Sequence, residues 1–85
     1  MRLIIHKRAI KSIARMSDKD RAQIMKGIYG LKEEPPIGDI VKMQGQNGFR
    51  LRVRGHRVMF DRTDGLLEVT GVEPRGQAYG KRTRR

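Results

Sequence analysis

The residue types best suited to chemistry in this chain are arginines. Arg50, Arg52 and Arg54 alternate with Phe49, Leu51 and Val53, and Arg57 follows after Gly55-His56. Alternate residues of a strand project from one face about 6.6–6.8 Å apart, so the spacing predicts a row of planar, forked donors. A guanidinium fork meets two phosphate oxygens at once, which a lysine ammonium does not. From Ile40 to Phe60 there are five basic residues, Lys42 among them, and no acid. The chain as a whole carries 20 Lys and Arg against 9 Asp and Glu, a net charge of +11 over 85 residues. That surplus favours a polyanionic partner, because each phosphate contact releases counterions. Before Ile40 the charge is mixed in sign, with Asp18, Asp20, Glu33, Glu34 and Asp39 offsetting the bases. The segment Lys81-Arg82-Thr83-Arg84-Arg85 adds a basic tail.

Other chemistries find little support. The chain has no Cys, which excludes disulfides, thiolate metal sites and a cysteine nucleophile. His6 and His56 are far apart and the carboxylates scattered, so no metal-ligand spacing is present, and no cofactor is expected. The glycines are dispersed rather than gathered in a phosphate loop, and Ser12 and Ser17 have no neighbouring His. His6 is assigned no role, and His56 is expected at a turn tip on the surface. Tyr79, four residues after Arg75, could pack or could stack on a nucleobase. Apolar runs reach only three residues, Leu3-Ile4-Ile5 and Val58-Met59-Phe60, too short for a membrane span or a secretory signal. A cytoplasmic protein without a membrane partner is expected.

The arginine row must be positioned by other elements. Arg2 to His6 reads as a short buried strand, and Ala9, Ile10, Ile13 and Ala14 then fall at helical spacing. Ser17 or Asp18 can cap a second helix, which carries Ile24, Ile28 and Leu31 and stops before Pro35-Pro36. Lys42-Met43 with Gly45 is expected to supply a strand ahead of the arginine ribbon. A two-residue turn at Gly55-His56 would oppose 54–57, 53–58, 52–59, 51–60 and 50–61. One face would then carry Phe49, Leu51, Val53, Val58 and Phe60, and the other Arg50, Arg52, Arg54, Arg57, Met59 and Asp61. The apolar face should meet the helices, since a one-residue slip would bury the arginines. After a turn at Asp64-Gly65, Leu67 to Thr70 alternate into a last strand. The expected fold is α+β, with two N-terminal helices on one face of a largely antiparallel sheet in the order β-α-α-β-β-β-β. Residues 1–80 form one domain and 81–85 the tail.

The run Lys42-Met43-Gln44-Gly45, then Gly48-Phe49-Arg50-Leu51-Arg52-Val53-Arg54-Gly55-His56-Arg57-Val58-Met59-Phe60, resembles the RelE/ParE superfamily of toxins. That superfamily has a similar Lys-Leu-x-Gly, an aromatic-Arg-x-Arg-x strand, a tight turn and Arg-Val-x-aromatic. Its helical hairpin followed by Pro and Gly is matched by Lys19 to Gly38, and its closing Arg-x-x-x-Tyr by Arg75 to Tyr79. The resemblance implies a toxin held by a cognate antitoxin. In the RelE branch it also implies a metal-independent endoribonuclease that cuts mRNA in the ribosomal A site. In the ParE branch it implies an inhibitor of DNA gyrase. A non-catalytic RNA- or ribosome-binding protein would show the same composition.

On the RelE-like reading, Arg57, Arg75 and Tyr79 are the catalytic positions, and Lys42, Arg50, Arg52 and Arg54 bind RNA. Arg57 would stabilise the phosphorane, Arg75 neutralise charge or aid the leaving group, and Tyr79 orient the ribose by stacking. Some relatives carry a further base two positions before the counterpart of Arg75, where this chain has Glu73. Other members of the superfamily use a carboxylate or a histidine as general base, which by the resemblance makes Glu73 and His56 candidates for that role.

Overall fold

The computed structural model describes residues 1–43 and 48–73. Gly45, Arg75, Tyr79 and the basic tail lie outside the described residues. The elements are β1 (Arg2–Ile5), α1 (Lys7–Ala14), α2 (Asp18–Gly30), β2 (Asp39–Lys42), β3 (Phe49–Val53), β4 (His56–Thr63) and β5 (Leu66–Glu73). The strands form one sheet in the order β1-β5-β4-β3-β2, with β1 parallel to β5 and the other pairs antiparallel. The α+β class and the expected order of elements hold.

Both helices end on side-chain caps supplied by arginines. Ser17 accepts a hydrogen bond from the Asp20 amide at 3.1 Å and starts α2, whose first turn carries Asp18 and Asp20 at the positive end of its dipole. Arg21 reaches back to donate to the carbonyls of Ile13, Ala14 and Met16, at and just beyond the end of α1. Arg62 on β4 does the same beyond α2, donating to the Leu31 carbonyl at 3.1 Å and the Glu33 carbonyl at 2.9 Å, and pairing with Glu34. These two arginines are structural and are not part of the basic surface.

The core lies between the helices and one sheet face. Ala9 and Ile13 of α1 and Ile24 and Ile28 of α2, followed by Leu31, meet Leu51, Val58, Phe60, Leu67, Val69 and Val72. Phe49 and Phe60, paired across β3 and β4, stack with centroids 5.6 Å apart. Burying each Leu or Ile stabilises the fold by about 1.5–3 kcal/mol. A bulge at Met59/Phe60 pairs Gly71 with Met59 and Val69 with Phe60, leaving Thr70 as the extra residue. Past the bulge the side-chain alternation of β5 changes phase, so Val69 and Val72 both face the core.

The turn and the register differ from expectation. Arg54 and Gly55, not Gly55-His56, are the loop residues, with φ of 50° and 88°. Two positive φ values in succession are the type I′ arrangement, which matches the twist of a hairpin. The pairs are therefore Val53–His56, Arg52–Arg57, Leu51–Val58, Arg50–Met59 and Phe49–Phe60. The shift is two residues, which preserves parity, so the apolar and arginine faces stand as the alternation implied. His56 changes place most. It opens β4 on the core side, 7% exposed, with Nε2 3.3 Å from Asp20 Oδ2. The expected surface turn-tip position is corrected to a buried link between the hairpin and α2.

β2 also begins earlier than expected. It runs from Asp39 to Lys42, with Met43 outside it, and pairs Asp39–Arg52, Ile40–Leu51, Val41–Arg50 and Lys42–Phe49. Gly38 precedes it at φ 142°, where an added Cβ would stand 2.6 Å from Leu51 Cδ1. Only glycine brings the chain over Leu51 at that point.

Candidate nucleic-acid interface

Across the sheet face turned away from the helices, one row of opposed residues reads Asp39, Arg52, Arg57, Glu73 on β2, β3, β4 and β5. Two guanidiniums face each other across a non-loop pair, which is unfavourable, and each is flanked on its outer side by a carboxylate. Arg52 Nε donates to Asp39 Oδ2 at 3.2 Å, and Arg57 Nη1 lies 3.6 Å from Glu73 Oε1. The next row reads Val41, Arg50, Met59, Gly71. Arg50 is half-buried, and its Nε is fully buried with no hydrogen-bond partner among the described residues. A buried donor without a partner is costly, on the order of 1–3 kcal/mol.

Arg50, Arg52, Arg54 and Arg57, with Asp39 and Gly55, line a cleft of about 470 Å³. All four arginines expected to bind phosphate are thus gathered at one concavity, although Arg54 enters from the turn rather than from the strand row. Lys42 is not gathered with them. It is exposed and opposes Phe49, which places it on the helix side of the sheet. Arg75 and Tyr79 lie outside the described residues.

Sequence reasoning left Asp61 as the single acid on this face, but neighbouring strands bring two more, Asp39 into the cleft and Glu73 against Arg57 beside it. Arg57 is only 33% exposed beside Glu73, whereas the Arg52–Asp39 pair is open to solvent, with side-chain exposures of 58% and 60%. Pairs so exposed contribute about 0–1 kcal/mol, whereas a hydrogen bond to a charged group is worth about 1.5–3 kcal/mol. A phosphate can therefore compete with Asp39 for Arg52. Of the two histidines, His6 pairs with Glu68 at 2.7 Å and His56 faces the core, so neither reaches the cleft. Among the described residues no three His, Asp or Glu side chains are grouped to hold a metal ion. No helix among them is long and apolar enough to cross a membrane.

No family model matches the chain, and no curated protein matches it in sequence. Solved structures do match. The archaeal RelE–RelB complex from Pyrococcus horikoshii OT3 aligns with a TM-score of 0.73 at 23% identity, over 89% of this chain and 96% of that one. The RelB–RelE antitoxin–toxin complex from Methanococcus jannaschii gives 0.72 at 19%, over 93% and 98%. The isolated E. coli RelE toxin gives 0.70 at 23%, over 94% and 92%. At these identities the likeness is one of fold: the chain has the RelE fold along nearly its whole length.

Proposed function

We propose that this chain is the toxin of a toxin–antitoxin pair and an endoribonuclease that cuts mRNA in the ribosomal A site. The observation that carries the reading is the cleft of four guanidiniums on a RelE fold. The reading places the protein in the cytoplasm, where translating ribosomes are. RelE is bound to RelB in two of the similar structures, which supports a cognate antitoxin here as well.

The chemistry is transesterification within the RNA. The ribose 2′-oxygen gives up its proton, bonds to phosphorus, and the bond from phosphorus to the 5′-oxygen breaks. The products are a 2′,3′-cyclic phosphate and a 5′-hydroxyl. Arg50 and Arg52 hold the backbone, and Arg57 faces the charge that develops on the phosphorane, where a preorganised cation is most effective. Guanidinium groups do not accept protons, and the acceptor that the cleft lining offers is a carboxylate. Asp39 lines the arginine cleft, whereas Glu73 belongs to the neighbouring cavity and pairs with Arg57. Asp39 takes the 2′ proton and releases it to water, and water protonates the departing 5′-oxygen. Arg75 and Tyr79 complete the site as charge neutraliser and stacking platform.

The test is primer extension on translating ribosomes. The wild-type chain gives discrete new mRNA 5′ ends, and Arg57→Ala lowers their rate of appearance by about 10²–10³. Cuts undiminished by Arg57→Ala remove Arg57 from the chemistry. Intact mRNA with arrested gyrase, from the wild-type chain, overturns the ribonuclease reading in favour of a ParE-like one.

A further inference from the structure

The first seventeen residues contain Arg2, Lys7, Arg8, Lys11 and Arg15 and no acid. Four of these lie on α1 or at its C-cap. At 100° per residue Lys7, Lys11, Arg15 and Arg8 fall within a 100° arc, with Ser12 next to Arg8 and the buried Ala9 and Ile13 on the far side. All four bases are exposed, and none pairs with a carboxylate among the described residues. Lys7, Lys11 and Arg15 follow one another at four-residue intervals, about 6 Å of helix rise each.

This face adjoins the arginine cleft. Arg8 Nε donates to the Thr70 carbonyl at 2.9 Å, which draws its guanidinium over β5. An added Cβ on Gly71 would stand 2.8 Å from Arg8 Nη2 and 3.0 Å from Met59 Cε. Met59 is the cross-strand partner of Arg50. Between α1 and β5 lies a cavity of about 240 Å³ lined by Arg8, Ser12, Met59, Gly71, Val72 and Glu73. Glu73 is also the partner of Arg57. The cleft, the Glu73 carboxylate, this cavity and the basic face of α1 are therefore continuous.

We propose that the basic face of α1 is a second phosphate-binding surface, which grips the sugar-phosphate backbone of an RNA strand after it leaves the arginine cleft. It rests on the reading of the cleft as an RNA site. An acidic protein segment is the less fitting occupant. The side of α1 next to the cleft, Arg8, Ser12 and Arg15, offers no apolar anchor, and exposed Ile10 lies toward the opposite edge of the arc. A nucleic-acid backbone needs only spaced cations, and two adjoining sets of them lengthen its footprint.

The experiment measures affinity by fluorescence anisotropy across a salt series, using two single-stranded RNAs, one of about 4 nucleotides and one of about 16. The variant is Lys11→Gln with Arg15→Gln, two exposed positions that leave Arg8 and its bond to Thr70 intact. It should bind the short RNA like the wild-type chain. On the long RNA it should lose about tenfold at about 50 mM salt, and the log–log salt slope should become shallower by about 1.4, two contacts at about 0.7 each. Unchanged affinity for the long RNA overturns the proposal, as does an equal loss on both RNAs. A variant that loses only an acidic protein partner, with RNA affinity intact, overturns it in favour of that partner. A wild-type chain that binds neither RNA refutes the cleft reading itself, a result distinct from the others.

Discussion

Asp39→Asn separates the two things a carboxylate does in an arginine cleft. As a charge it competes with phosphate, because it occupies the Nε edge of Arg52 at 3.2 Å. As a base it accepts the proton that no guanidinium can. A phosphate seated on the free edge of Arg52 stands about 6 Å from this carboxylate, and at a water-like dielectric their repulsion is about 0.7 kcal/mol. Removing it should tighten RNA binding by about threefold. The lost ion pair removes about 0–1 kcal/mol of stability, since both partners are more than half exposed, so the variant stays folded. The rate of cleavage should move the other way, falling by about 10²–10⁴ as a general base is lost.

The assay pairs anisotropy on a non-cleavable 2′-deoxy-substituted RNA with primer extension on translating ribosomes at saturating protein. Tighter binding with slower cutting supports the assignment. If cutting is unchanged or rises with affinity, Asp39 is only a competitor for phosphate, and the reasoning from proton acceptors in the cleft is wrong. Glu73→Gln is the companion variant. It frees Arg57 in the same way and should tighten binding without slowing the reaction.

Two further predictions concern how the cleft is held. His56→Ala removes a buried side chain and its contact with Asp20 at 3.3 Å, and should lower stability by about 1–3 kcal/mol. RNA affinity measured below the melting transition should be unchanged, because His56 faces away from the cleft. Lost binding in a folded variant would show that the hairpin depends on this link for its shape. Gly38→Ala forces a side chain into φ 142° and against Leu51. It should lower stability by about 1–3 kcal/mol, read as a fall of roughly 4–8 °C in Tm per kcal/mol. An unshifted Tm would mean that β2 can move away from Leu51.

The faces of the arginine ribbon were legible because alternation has period two. A register error of two residues leaves every side chain on its proper side, which is why Arg50, Arg52 and Arg57 still share a face under either turn. The turn itself was not legible. Gly55 can serve as the first or the second loop residue, and the choice falls to a partner remote in sequence, since Asp20 meets His56 only when His56 opens β4 on the core side. The same limit hid Asp39. Four residues of β2 carry too little pattern to fix its start, and moving that start from Lys42 back to Asp39 places a carboxylate opposite Arg52 and turns Lys42 to the helix side. The basic face of α1 was obscured by averaging charge over the whole segment before Ile40. Every one of those acids lies at Asp18 or later, and the helix before them has none.

The row Asp39, Arg52, Arg57, Glu73 explains how a sheet can carry opposed arginines at all. Two guanidiniums alone would repel, and two ion pairs at the flanks return the row to zero net charge. The Arg52–Asp39 pair, more than half exposed, is weak enough for a phosphate to compete with it. Arg50 lies off that row and has no carboxylate beside it. With no carboxylate paired to it among the described residues, it is the position where an incoming phosphate displaces nothing. The backbone should therefore engage Arg50 first, and exchange with Asp39 should follow. On this account Arg50→Met weakens RNA binding more than Arg52→Met or Arg57→Met does, by the anisotropy assay on the short RNA. An equal loss at all three positions would remove the distinction between the paired and unpaired arginines.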